Sequence, residues 1–208
     1  DLLKVIRALA PELTSRHVVI SNCTADPRSV VAAYQIVTDA GARFLDAPFT
    51  GSRDAASEGN LLYYIGGDPK VLDEVRSVLE LSSRKIVPIG RVGEASVIKI
   101  ATNMISAATM EILGEAYGLV RSAGIEPERL KEAIQDNACG SPLAAMKLPS
   151  VARGDFEPHF SLENMFKDAQ YALALAKELG VELPALSTTA NVMYRTMKAG
   201  HGKQDFSV

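Results

Sequence analysis

At 208 residues with 47% apolar side chains, the chain is long enough to bury a core, which excludes intrinsic disorder as its ground state. A net charge of −3, with no Lys/Arg run longer than two, gives no basic face, so neither nucleic acid nor an anionic membrane is expected as a partner. Cys23 and Cys139 stand far apart, in no CxxC or Cys/His cluster, and His17, His159 and His201 are scattered; together they point to a reducing, cytoplasmic setting with neither a disulfide framework nor a metal site.

No segment reaches the roughly 18 uncharged apolar residues of a membrane span. The opening DLLKVIRALAPELTSR reads as a charged amphipathic helix and not as a signal peptide, and so abrupt a beginning looks like a cut. Strand and helix signals then alternate. HVVIS (17–21) is a strand, 27–39 a helix from Pro27, ARFLDA (42–47) and LLYYIGG (61–67) are strands, 68–80 is a helix, and KIVPIG (85–90) is a further strand. Such alternation predicts a largely parallel α/β sheet of Rossmann type over residues 1–93. Beyond Gly93 the strand signals stop. A helical pattern runs from Glu94 to Ala123, closed by Gly124, and EPERLKEAIQDN, SPLAAMKLPSVAR, SLENMFKDAQYALALAKELG and LPALSTTANVMYRTMKAG continue it, predicting an all-helical domain over 94–208.

The long helix is apolar on most sides, the pattern of a helix enclosed by protein. Lys99, Thr102, Asn103 and Ser106 nevertheless form one polar stripe along it, at helical spacing. A lysine there either snorkels to solvent or faces a water-poor cleft, where it can trade a proton with a substrate oxygen; Asn103 would then hold the same oxygen or orient the ammonium.

DAPFTGS (46–52) lies at the carboxyl end of a strand, where open α/β sheets bind ligands. Thr50 offers a hydroxyl, Gly51 a closely approachable backbone and Ser52 a second hydroxyl, so the turn can present N–H groups to an anion or can simply cap the next helix. SNCTADP (21–27), with Thr24, repeats the arrangement at the preceding strand end. In FSLENMFKDAQ, Lys167 and Asp168 form either a solvated pair of little consequence or a contact to cofactor and substrate. No G-x-G-x-x-G stands between a strand and a helix anywhere in the chain.

These segments together resemble the β-hydroxyacid dehydrogenase family, which includes 3-hydroxyisobutyrate dehydrogenase, tartronate semialdehyde reductase and the glyoxylate/succinic semialdehyde reductases. DAPFTGSRDAASEGNL is similar to the family's D-x-P-V-S-G-[GS] substrate motif, GRVGEASVIKIATN to its G-x-x-G-x-G-x-x-x-K-x-x-x-N catalytic motif, FKDAQYALALA to its K-D-L segment and SNCTADP to its D-x-S-T-x-x-P turn. The resemblance implies an oxidoreductase using NADP or NAD on a small carboxylate substrate. It implies Lys99 as general acid/base, Asn103 as a substrate and lysine partner, and Thr50, Gly51 and Ser52 as the carboxylate cradle. Thr24 would lie beside the nicotinamide, and Phe160, Lys167 and Asp168 would close around cofactor and substrate. The long helix carries more apolar surface than the helical residues would normally hide, so a homodimer or homotetramer packed through the helical half is expected, with the substrate site in the same domain.

Thr50 and Cys23 stand where the family has serines, and Ala95 where it has a glycine; none of these removes the chemistry. Ser52, where 3-hydroxyisobutyrate dehydrogenases commonly have glycine, leans toward the glyoxylate/succinic semialdehyde branch. The family normally opens with a strand–GxGxxG–helix unit, and about 70 residues of that kind are not found before Asp1. The chain is therefore expected to be part of a longer protein or a lineage without nucleotide binding. The alternatives are a non-enzymatic relative serving as an oligomerising scaffold and an imine reductase-like enzyme, a sister group that usually lacks the lysine.

Overall fold

The computed structural model describes residues 2–208 and divides into two units, one ending at Ala101 and one running from Thr102 to Val208. The division falls inside one continuous helix.

In the first unit, α1 (Leu2–Leu9) is followed by a short 3₁₀ turn, β1 (Val18–Ser21), α2 (Pro27–Asp39), β2 (Arg43–Asp46), β3 (Phe49–Thr50), α3 (Arg53–Ser57), β4 (Leu61–Gly66), α4 (Pro69–Glu80) and β5 (Ser83–Gly90). Helix starts follow sequence chemistry: Asp26 and Asp68 accept the N–H of Arg28 and Lys70, with Pro27 and Pro69 at the first helical position. The sheet has five strands. β1 pairs in parallel with β2, and β4 in parallel with β5, but β2 and β3 both run antiparallel to β4.

This mixed pairing departs from a largely parallel sheet for two local reasons. Asp46 opposes Gly66, and Phe49 and Thr50 oppose Tyr63 and Leu62, all in one register, so β2 and β3 are a single extended run interrupted at Pro48, which has no N–H for the ladder. The return from Thr50 to Leu61 is about ten residues, shorter than the dozen or more that a parallel crossover needs. Alternation along β2 sends Phe44 to a cluster with Ile6, Val30, Ala33 and Val37, and Leu45 to a cluster with Leu61, Tyr63, Leu72 and Leu79. Helices α1 and α2 thus cover one face of the sheet and α4 the other.

The shared helix is α5 (Glu94–Ser122); α6 (Pro127–Gln135), α7 (Pro142–Arg153), α8 (Leu162–Leu179) and α9 (Pro184–Thr196) complete the second unit, with one π-helical turn at Met197–His201 before the C-terminal segment. Ser141 and Ser161 cap α7 and α8, and Gly154 and Gly180 end them in the left-handed conformation. By length and composition alone α5 is long and apolar enough to cross a membrane, a test that a core helix also passes. It is not enclosed as its composition predicts. Ile98, Ile105, Ile112 and Leu119, seven residues apart, lie on an exposed face, with Ile105 61% and Leu119 73% accessible. Periodicity reports how many sides of a helix are apolar, but not which of them its own chain will cover.

Candidate functional site

Asp46, the first residue of DAPFTGS, is fully buried at the end of β2. Its Oδ2 accepts the N–H groups of Gly93 and Ser96, both at 3.0 Å, and its Oδ1 accepts the Ser96 hydroxyl at 2.7 Å. Burial pushes its pKa up, against the opposing pull of these hydrogen bonds. The carboxylate is thereby committed to the first turn of α5, where free N–H groups and the helix dipole favour a negative charge.

Pro48 then turns the chain into β3, and half-buried Thr50 ends that strand against Leu62. Gly51 follows at φ +145°, a conformation in which a Cβ would stand 2.7 Å from Leu61 Cδ2 and 3.2 Å from Ala55 Cβ, so only glycine fits. Its backbone is exposed. Ser52 Oγ accepts the Ala55 N–H at 3.2 Å as the cap of α3, the plainer of the two readings of that hydroxyl. Thr24 is half-buried in the loop leaving β1, between exposed Cys23 and the Asp26 cap of α2. Lys99 is 8% exposed on the second turn of α5. At that exposure the stem of the side chain is packed against protein and little of the residue meets water.

The second unit gathers three of the candidate residues. Asp168 on α8 is 1% exposed; its Oδ2 accepts Asn103 Nδ2 and its Oδ1 accepts Lys167 Nζ, each at 2.7 Å. Lys167 also sits 4.9 Å over the Tyr171 ring. Because the carboxylate accepts, it fixes which side of the Asn103 amide carries nitrogen and turns the carbonyl oxygen the other way. Asn103, itself 8% exposed, lies one turn beyond Lys99 on α5. Phe160 is half-buried, edge-on to Phe206 at 6.3 Å, and donates its N–H to Asp205.

Sequence reasoning passed over four residues. Asp46 lay inside a quoted motif, yet nothing local names its partner Ser96. Lys147 and Asp205 form a buried ion pair, with Lys147 Nζ 2.7 and 2.8 Å from the two Asp205 oxygens. Asp205 also accepts the N–H groups of His159, Phe160 and Ser207 and the Ser207 hydroxyl, which binds the C-terminal segment to the start of α8. The available signal was a lone lysine in the apolar run AAMKLPS, without any hint of what it meets.

Residues 93–208 match the family described as NAD-binding of NADP-dependent 3-hydroxyisobutyrate dehydrogenase, and residues 1–90 match that described as the NAD binding domain of 6-phosphogluconate dehydrogenase. Glyoxylate/succinic semialdehyde reductase 2, chloroplastic, of Arabidopsis thaliana is 29% identical over 185 residues, covering 88% of this chain and 51% of that protein. The cytokine-like nuclear factor N-PAC of Anopheles gambiae is 30% identical over 182 residues, covering 88% of this chain and 32% of that protein. The chain thus spans about half or less of the length of these two relatives. The structure of 3-hydroxyisobutyrate dehydrogenase from Mycobacterium tuberculosis with L-serine superposes with a TM-score of 0.88 at 25% identity, over 99% of this chain and 74% of that one. The motifs quoted from the sequence, the two-unit fold and a family match over more than half of the residues agree: the chain belongs to the β-hydroxyacid dehydrogenase family.

Proposed function

We propose that the protein is an NAD(P)-dependent oxidoreductase that interconverts a small β-hydroxyacid, or glycolate or γ-hydroxybutyrate, and its aldehyde or semialdehyde. The observation that carries this reading is the burial of Lys99 on the helix whose first turn is held by the DAPFTGS strand. The two family matches and the named activity of the Arabidopsis reductase support the reaction class. L-Serine, named with the Mycobacterium tuberculosis enzyme, is itself a carboxylate with a β-hydroxyl.

The loop after β1 stands at the carboxyl end of a parallel strand pair, where open α/β sheets bind nucleotides, so Thr24 fits the nicotinamide end of a cofactor. Lys167, partly exposed, is proposed as a second cofactor contact. Bound in its reduced form, the nicotinamide supplies a hydride to the carbonyl carbon. Lys99 donates the proton to the carbonyl oxygen, and takes it back in the oxidising direction. The Thr50 hydroxyl, the exposed Gly51 backbone and Ser52 hold the carboxylate. Asn103 meets the substrate or orients the ammonium with its amide fixed by Asp168, and Phe160 lines the substrate.

The test is an assay of the complete protein with NADH and NADPH against glyoxylate and succinic semialdehyde, and in reverse against 3-hydroxyisobutyrate. Lys99→Ala is expected to lower kcat by about 10²–10⁴-fold with folding intact; near-normal turnover would remove Lys99 from the mechanism. The likeness to a nuclear factor favours one second reading, an oligomerising scaffold without activity. Binding of neither nucleotide and no turnover on any of these substrates would select it. In either case we propose a homodimer or homotetramer packed through the helical half, which a monomer in sedimentation would contradict.

A further inference from the structure

The groups proposed to react and to hold the substrate, Lys99 and Thr50, are 49 residues apart along the chain, yet one side chain joins their two segments. We propose that Asp46 is a positioning residue for the reaction: by gripping the first turn of α5, its carboxylate fixes Lys99 relative to the Thr50–Gly51 turn. The inference rests on the role given to Lys99 above.

The bridge is short. Thr50 is four residues beyond Asp46; Asp46 accepts both the N–H and the hydroxyl of Ser96; and Lys99 is three residues beyond Ser96, about 4.5 Å of helix rise. Helix caps are ordinarily supplied by the residue at the helix's own start. Glu94, the first residue of α5, reaches the other way and accepts the N–H of Arg91, which precedes the helix, at 2.9 Å. Asp46 adds a grip from the strand that leads into the carboxylate cradle, converging three donors on a carboxylate with no exposure.

Burying that carboxylate is costly, as its raised pKa shows, and a surface cap would not carry the cost. The surroundings leave little play. Gly66, opposite Asp46 in the β2–β4 ladder, lies so close to the segment entering α5 that a Cβ would be 2.5 Å from the Arg91 carbonyl oxygen. Gly93 takes φ +93° with its Cβ position 3.0 Å from Val31 Cγ2. A helix clamped in this way transmits strand position to its second turn.

The test uses the complete protein with Asp46→Asn, Ser96→Ala and Lys99→Ala in parallel. Asp46→Asn puts an amide against three donors and is expected to lower kcat by about 10²-fold, the scale of a misplaced reacting group. Ser96→Ala removes the hydroxyl bond, keeps both N–H bonds, and is expected to lower kcat by about tenfold. In both variants the alkaline limb of the kcat–pH profile moves, because the surroundings of the amine change. A cap with no positioning role would lower the melting temperature and leave kcat and that limb unchanged. Wild-type kcat and limb in Asp46→Asn, or in Ser96→Ala should Asp46→Asn not fold, overturn the proposal. Wild-type kcat in Lys99→Ala overturns the general-acid reading and the positioning role with it. Loss of activity in Lys99→Ala alone overturns only the positioning role.

Discussion

The Lys147–Asp205 pair yields a prediction with an internal asymmetry. Both side chains are almost wholly buried, 5% and 3% exposed. Replacing Asp205 by Ala strands the Lys147 ammonium and also takes the acceptor from the N–H groups of His159, Phe160 and Ser207. Removal of one partner from a buried pair costs about 3–5 kcal/mol, and the stranded N–H groups place this variant at the upper end. Lys147→Met keeps the apolar stem and leaves the carboxylate four donors, losing only the ammonium and its place over the Phe206 ring, so about 2–3 kcal/mol is expected. At about 2–4 °C per kcal/mol, the melting temperature falls by roughly 8–20 °C in the first variant and 4–12 °C in the second. The chain has no tryptophan, so far-ultraviolet circular dichroism is the probe.

Acid adds a second reading of the same pair. Burial raises the pKa of Asp205, but the hydrogen bonds from Lys147 and Ser207 and the lysine charge outweigh it, leaving the carboxyl below its ordinary value of 3.8. A depressed carboxyl contributes stability that is fully present above the unfolded value and lost as pH falls through the folded one. The stability difference between wild type and Asp205→Asn should therefore stay level from neutral pH to about 4 and shrink below it. Equal losses in Asp205→Ala and Lys147→Met, or a loss under about 1 kcal/mol in the first, would refute the account of Asp205 as a hub with the ammonium as one donor among five.

Gly51→Ala forces a side chain into φ +145° against Leu61, so a loss of about 1–3 kcal/mol is expected in urea unfolding, with a raised KM for the carboxylate substrate; unchanged values would show that the turn needs no glycine. Asp168→Ala removes the carboxylate that Asn103 and Lys167 share, and is expected to lower kcat/KM by about 10–100-fold in steady-state assays, with Asp168→Glu recovering part of it. If Asp168→Ala keeps wild-type kcat/KM, the Asn103–Asp168–Lys167 network has no part in turnover.

The helices were legible because their signals are local. Pro27 and Asp39 bound α2 as the sequence predicts, with Asp26 supplying the cap. Strand direction was not local: the antiparallel seating of β2 and β3 on β4 depends on a ten-residue return that carries a helix of only five residues, too little for the crossover that alternation suggests. The exposed face of α5 was illegible for a related reason, since its apolar residues surround the helix more widely than its own units cover.

The two buried lysines show where legibility ends. Lys99 and Lys147, 8% and 4% exposed, look alike in sequence, each the one lysine of an apolar helix whose other cation, Arg121 or Arg153, stands in the last turn. Lys99 stands out because Thr102, Asn103 and Ser106 extend it into a stripe, and a stripe is a helical-period signal that one sequence contains. Lys147 has no stripe, because its partner is one carboxylate 58 residues away that reaches it only through the fold of the C-terminal segment. Spacing can mark a helix face that stays polar along several turns, as a face meeting a ligand must. It is blind to a charge satisfied at one point by a distant residue. Asp46 belongs to the second class, with its partner 50 residues on, although it stands at the head of the most informative motif in the chain. Candidate residues that share one helix face are therefore the part of such a site that a sequence displays, and the distant partners of its buried charges are the part that the fold adds.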